Sequence, residues 1–140
     1  MSKIFVGLRG SKEMVVQRHQ LASVLGNIGV PVLSTHNVVL LMELAARNAV
    51  EGRLPEGMMT VGAMINLRHL AATPLGAKVR AEGCLRKIEG RRLLFDVVAY
   101  DEAEKIAEGE NEQIIVSAER FVKAVIRKQV NVRMVKDEKS

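Results

Sequence analysis

Glu43 interrupts a run, Val38-Val39-Leu40-Leu41-Met42-Glu43-Leu44-Ala45-Ala46, that otherwise suits a protein interior. A helix that is apolar nearly all round is a buried helix. An ionised carboxylate buried without a partner is costly, so such a group is paired, protonated or working. Two polar side chains frame it: Thr35, eight residues earlier, and His69, in Asn66-Leu67-Arg68-His69-Leu70-Ala71-Ala72-Thr73-Pro74. Together they could do general acid–base or nucleophilic chemistry. A carboxylate in apolar surroundings is a stronger base than one in water. It could take a proton from water, or attack a carbonyl carbon itself. The hydroxyl and the imidazole could orient that water, hold a developing oxyanion or pass a proton to a leaving group.

Each of these residues also has a plainer role. Arg47 follows Glu43 by four, the spacing of a helical ion pair. Thr35 competes with Ser34 to cap the helix, whose first amides carry partial positive charge. An isolated histidine at a strand end, such as His69, is commonly a surface or hydrogen-bonded group. His36 and His19 are the alternative imidazoles, and His36, beside Thr35, could line a pocket. Positions eight apart on one helix lie roughly 12 Å apart along its axis. Thr35 and Glu43 would therefore meet a substrate from different points, or across two subunits.

The elements that must position these groups follow from hydrophobic period. Ser34 or Thr35 opens a helix that runs to about Val50 and stops near Gly52 and Pro55. Met14-Val15-Val16 suits a short strand, and Gln17 to Leu25 a weak helical turn. After the helix the period changes to two. Met58–Leu70, Lys78–Ile88, Arg92–Tyr100 and Lys105–Val116 read as strands, with turns at Thr73-Pro74-Leu75-Gly76, Glu89-Gly90 and Asp101–Glu104. Short connections predict an antiparallel meander. Ser117 is expected to cap a short helix to about Arg127 that packs Phe121, Val122 and Val125. Val130–Val135 would then add a strand or an arm before a frayed, charged tail at 136–140. One buried helix plus antiparallel strands is an α+β arrangement: one domain over 1–140, with its core at about 13–127.

Thr35, Glu43, His69 and Gly62, their spacings, and the string His69-Leu70-Ala71-Ala72-Thr73-Pro74-Leu75-Gly76 resemble the fluoroacetyl-CoA thioesterase branch of the hotdog-fold thioesterases. The resemblance runs from about Val30 to about Phe121. It implies a hotdog fold, with one long central helix wrapped by a curved antiparallel sheet, and a homodimer or dimer of dimers with sites at the subunit boundary. It implies hydrolysis of a short-chain acyl-CoA with Thr35, Glu43 and His69 as the catalytic set. Gly62 then leaves room at the acyl end; elsewhere a strand glycine also marks a bulge. Arg68, Arg91 and Arg92 are candidate contacts for the phosphates of coenzyme A, or plain surface. The alternative is a hotdog protein that binds acyl-CoA without cleaving it. A hydratase is disfavoured, because no Asp-His hydratase signature is present. Two features depart from the branch. Its phenylalanine gate has no counterpart in Gly26–Val30, so fluoroacetyl selectivity is not implied. Its Gly-Thr-His-Glu-Arg string stands here as Gly109-Glu110-Asn111-Glu112-Gln113.

Composition narrows the remaining classes. At 140 residues and 48% hydrophobic content the chain can bury a real core and is not disordered. No apolar stretch reaches the roughly 18–20 residues that span a bilayer, and the N-terminus is a poor secretory signal. The formal charge of +5 is spread among glutamates, and aromatics are 3%. That argues against a nucleic-acid surface, which needs clustered cations or stacking rings. Three scattered histidines lack metal-ligand spacing, so no metal is expected, and no cofactor beyond the coenzyme A of the substrate. A single cysteine, Cys84, forms no internal disulfide, which fits a cytoplasmic setting.

Overall fold

The computed structural model describes residues 3–139. Its elements in chain order are β1 (Arg9–Val15), α1 (Thr35–Ala49), β2 (Met58–His69), β3 (Lys78–Glu89), β4 (Arg92–Tyr100), β5 (Lys105–Ser117) and α2 (Ala118–Lys139), with a single 3-10 turn at Arg18–Gln20. The five strands form one antiparallel sheet in the order β1-β3-β4-β5-β2. Helix α1 lies across one face and touches every strand, most closely β1 and β3. This is the α+β hotdog arrangement.

The core forms where the apolar side of α1 meets the inward rows of the strands. Val38, Leu41, Met42, Ala45, Ala46 and Ala49 are buried against Val79, Ala81 and Leu85 of β3 and Leu93, Phe95, Val97 and Ala99 of β4. At one point the helix backbone comes close to the sheet, because two glycines lie beneath it. Gly10 and Gly83 are cross-strand partners beneath it. A Cβ at Gly83 would come within 2.8 Å of the Ala46 Cα, closer than real contacts allow. The outer face of the sheet is charged and paired with itself, through Arg80 with Glu13 and Glu82, Arg86 with Asp96 and Glu110, and Arg92 with Glu112. Exposed pairs of this kind contribute little, because water and salt screen them.

Three expectations are corrected. The strands after α1 are not a four-strand meander. Only β3, β4 and β5 run side by side in sequence order, and β2 returns to the far edge beside β5. The link 70–77 therefore crosses the sheet end, which local periodicity does not encode. The C-terminal region is one helix through Lys139, not a short helix followed by a strand and a frayed tail. Phe121, Val122 and Val125 on it are exposed, not packed. Near the N-terminus, the first strand includes Met14 and Val15 but starts at Arg9 and stops before Val16, and the helical turn shrinks to three residues. Among the described residues no helix is long and apolar enough to cross a membrane.

Candidate active site

Ser34 is the residue that caps α1. Its hydroxyl accepts from the backbone N–H of Asn37 at 3.2 Å and from the Asn37 side-chain amide at 2.7 Å. That leaves the Thr35 hydroxyl free for other work. Its Oγ1 lies 2.8 Å from Nδ1 of His69. The crossover after β2 enforces this contact. Thr73 within it is fully buried, its hydroxyl donates to Asp101 at 3.0 Å, and its carbonyl accepts from Leu33 N–H at 2.8 Å. Val32 and Pro74 form an isolated bridge beside that bond. The His-x-Ala-Ala-Thr-Pro-x-Gly string is thus the strap that ties the end of β2 to the mouth of α1.

The His69 imidazole is half-buried, and its Nε2 has no hydrogen-bond partner among the described residues. Burial holds its pKa below the ordinary 6.5, and a backbone contact with Ala71 only partly opposes this. The ring is therefore neutral at pH 7. One nitrogen donates and the other accepts, so it can move a proton in either direction.

Glu43 is half-buried two turns further along α1. Arg47 is exposed, and among the described residues Glu43 makes no ion pair, so the helical pairing with Arg47 does not form. The carboxylate instead lies over Gly62 of β2. A Cβ built there would fall 2.9 Å from Glu43 Oε1, so only glycine leaves that oxygen undisturbed.

Gly62 and His69 are seven residues apart, an odd interval. In a regular strand such residues point to opposite faces. Here Gly62 pairs with Gln113 and Met64 with Glu112, leaving Ala63 as the extra residue of a bulge. The bulge restores phase, so Gly62 and His69 both face α1. One chain thus holds two clusters along β2, Thr35 with His69 and Glu43 with Gly62. The two clusters are separated by roughly 12 Å of helix.

The other candidates lie apart. His36 is exposed on the first turn of α1. Arg68 is exposed and alternates to the outer face. Arg91 is exposed at the β3–β4 turn. Arg92 is held by Glu112 at 3.2 Å on the outer face, so the structure does not bring these arginines to Glu43 or His69. A cavity of about 290 Å³ on the outer face, beside Arg9, Cys84 and Asp96, contains none of the site residues.

A group not picked out from sequence lies directly behind Glu43. Thr60, Asn111 and Gln113 are buried polar residues. Asn111 and Gln113 occupy the string where the hotdog branch has histidine and arginine. Their signal was phase: they share the inward row of β5 with Ala107 and Ile115.

Comparison with known proteins identifies the family and the fold. The profile of the family described as "FlK: Fluoroacetyl-CoA-specific thioesterase" matches residues 15–119. The fluoroacetyl-CoA thioesterase of Streptantibioticus cattleyicolor is 38% identical over 90 residues, covering 64% of this chain and 65% of that protein's length. A crystal structure of a mutant of the fluoroacetyl-CoA-specific thioesterase FlK, in complex with fluoroacetate and CoA, superposes with a TM-score of 0.78. It is 34% identical, over 84% of this chain and 99% of that one. A hypothetical protein of Thermus thermophilus described as a thioesterase superfamily member gives a TM-score of 0.84 at 32% identity, over 94% and 97% of the two chains. With its hotdog fold and a family profile matched from residue 15 to residue 119, the chain belongs to the fluoroacetyl-CoA-specific thioesterase family, a family of thioester hydrolases.

Proposed function

We propose that this protein hydrolyses a short-chain acyl-CoA thioester. The observation that carries this reading is Glu43, a carboxylate without a counter-ion on the inner face of the fold, set over the bare backbone of Gly62. Glu43 takes a proton from water as the water oxygen bonds to the thioester carbonyl carbon. The carbonyl electron pair moves onto oxygen, where the Thr35 hydroxyl and the first amides of α1 stabilise it. Collapse re-forms the carbonyl and breaks the carbon–sulfur bond. The coenzyme A thiolate leaves, and neutral His69 relays a proton to it. The products are a carboxylic acid and free coenzyme A. The step as written uses no metal and no cofactor beyond the coenzyme A of the substrate. The lone cysteine, Cys84, suits a reducing setting such as the cytoplasm.

The active form in this proposal is a homodimer. Strand β2 is an edge of 12 residues, and both clusters lie along it. A second copy paired antiparallel, with its two-fold between Ile65 and Asn66, sets Gly62 opposite the partner's His69. Residues opposite each other on adjacent strands share a face. Glu43 of one subunit would then meet the Thr35–His69 pair of the other, which removes the helix-length gap within one chain.

The test is a panel of acyl-CoA thioesters, from acetyl to hexanoyl, assayed by release of free thiol. Turnover concentrated at the short end is expected. Ligand-dependent rises in melting temperature with no thiol released from any of them would instead identify a binding protein.

A further inference from the structure

We propose that Thr60, Gln113 and Asn111 form a positioning relay that sets the distance between Glu43 and the acyl end of the site; this rests on the hydrolytic reading above. The three side chains form one hydrogen-bonded line, with every donor directed the same way. The Thr60 hydroxyl donates to Gln113 Oε1 at 2.7 Å. Gln113 Nε2 donates to Asn111 Oδ1 at 2.8 Å and to the main-chain carbonyl of Glu43 at 3.2 Å. Asn111 Nδ2 donates to the carbonyl of Met64 at 2.9 Å. Asn111 and Gln113 are wholly buried and Thr60 nearly so.

The two ends of the line explain its use. A carbonyl in the middle of a helix ordinarily accepts from the amide four residues on. The bond from Gln113 to Glu43 is therefore additional to what α1 needs, and it fixes how α1 sits over β5 at the turn that carries the carboxylate. The bond from Asn111 to Met64 grips β2 immediately after the bulged Ala63, on the far side of which lies Gly62. One side of the site is Glu43 and the other is Gly62, and the same pair of amides holds both. Satisfied buried polar groups give a single arrangement, whereas apolar residues of similar volume would fill the space equally well. Misplacing a reacting group by about 1 Å can cost up to ~100-fold in rate. These are positioning residues, since none is placed to touch the substrate.

The experiment compares Gln113→Met, Thr60→Val and Thr60→Ser with wild type, on the best substrate of the acyl-CoA panel, with melting curves alongside. Gln113→Met keeps length and removes both donors; Thr60→Val keeps shape and removes the first donor. The expected result is a kcat about 10- to 100-fold lower for Gln113→Met. For Thr60→Val it is several-fold lower. KM should stay within about twofold of wild type in both, the pattern of an interaction spent on the transition state. Thr60→Ser, which restores the donor, should recover kcat. If Gln113→Met does not fold, the Thr60→Val and Thr60→Ser pair decides alone. Folded variants with wild-type kcat, or a loss confined to KM, or no recovery in Thr60→Ser, would overturn the relay. Glu43→Gln run in the same assay separates this from failure of the hydrolytic reading: an active Glu43→Gln removes the reading itself, while an inactive one beside an unchanged Gln113→Met removes only the relay.

Discussion

The hydroxyl of Thr35 and Nδ1 of His69 meet at 2.8 Å although 34 residues of chain separate them. Two local facts produce the contact. Ser34 takes over the capping of α1, which frees Thr35. The buried Thr73 strap then brings the end of β2 to the helix mouth.

The burial of His69 carries a pH signature. Burial lowers the His69 pKa below 6.5 in the folded protein, while the unfolded chain keeps the ordinary value. Between the two values the unfolded state binds more protons, so stability rises with pH through that window and falls as the solution is acidified below 6.5. Melting temperature should drop on acidification from pH 7 to pH 5, and part of that drop should vanish in His69→Gln. The acid limb of kcat/KM should also lie below 6.5. An identical pH dependence of melting in His69→Gln and wild type would contradict the buried neutral ring.

Gly62→Ala places a methyl group against Glu43 Oε1. The carboxylate is the far end of a flexible side chain, so it can swing aside without unfolding the protein. Melting should change little, while kcat falls by ~10-fold or more as the base leaves its position. Steady-state kinetics beside a thermal melt check this. Unaltered kcat in Gly62→Ala would show that room at this point is not used.

Gly83→Ala tests how α1 is seated. The added methyl meets the Ala46 backbone, which cannot yield as a side chain can. Overpacking of this kind costs about 1–3 kcal/mol, so chemical denaturation should show a midpoint shift with an unchanged m-value.

A shared site predicts complementation. Subunits carrying Glu43→Gln and subunits carrying His69→Ala should each be nearly inactive alone. Unfolded and refolded together in equal amounts, half of the dimers would be mixed, and each would hold one intact site. Recovery of roughly a quarter of wild-type activity is expected for a two-fold dimer. No recovery, in a sample shown to contain mixed dimers, would place each site within one chain.

Much of this fold was legible in the chain. The apolar run around Glu43 marked α1, and strict alternation marked β3 and β4, whose Leu93, Phe95, Val97 and Ala99 all face inward. Strand order was not legible, because nothing local to Leu70–Ala77 says which edge the chain crosses to. The bulge at Ala63 was hidden for a similar reason: it appears only when β2 is laid against β5. Thr60, Asn111 and Gln113 were missed because polar residues in an antiparallel strand ordinarily face water. Phe121, Val122 and Val125 misled in the opposite sense, since helical spacing of apolar residues does not by itself supply something to pack against. For the candidate site, an acid in an apolar run marked out Glu43, while Thr35 and His69 rested on the family resemblance. Only coordinates could divide them into two clusters.

Replacing the Glu43 carboxylate by an amide of the same shape tests the central claim most directly. Free-thiol release from the preferred acyl-CoA should fall by ~1,000-fold or more in Glu43→Gln, with the melting temperature and the oligomeric state of wild type retained. A folded Glu43→Gln protein that turns over its substrate at the wild-type rate would contradict the account.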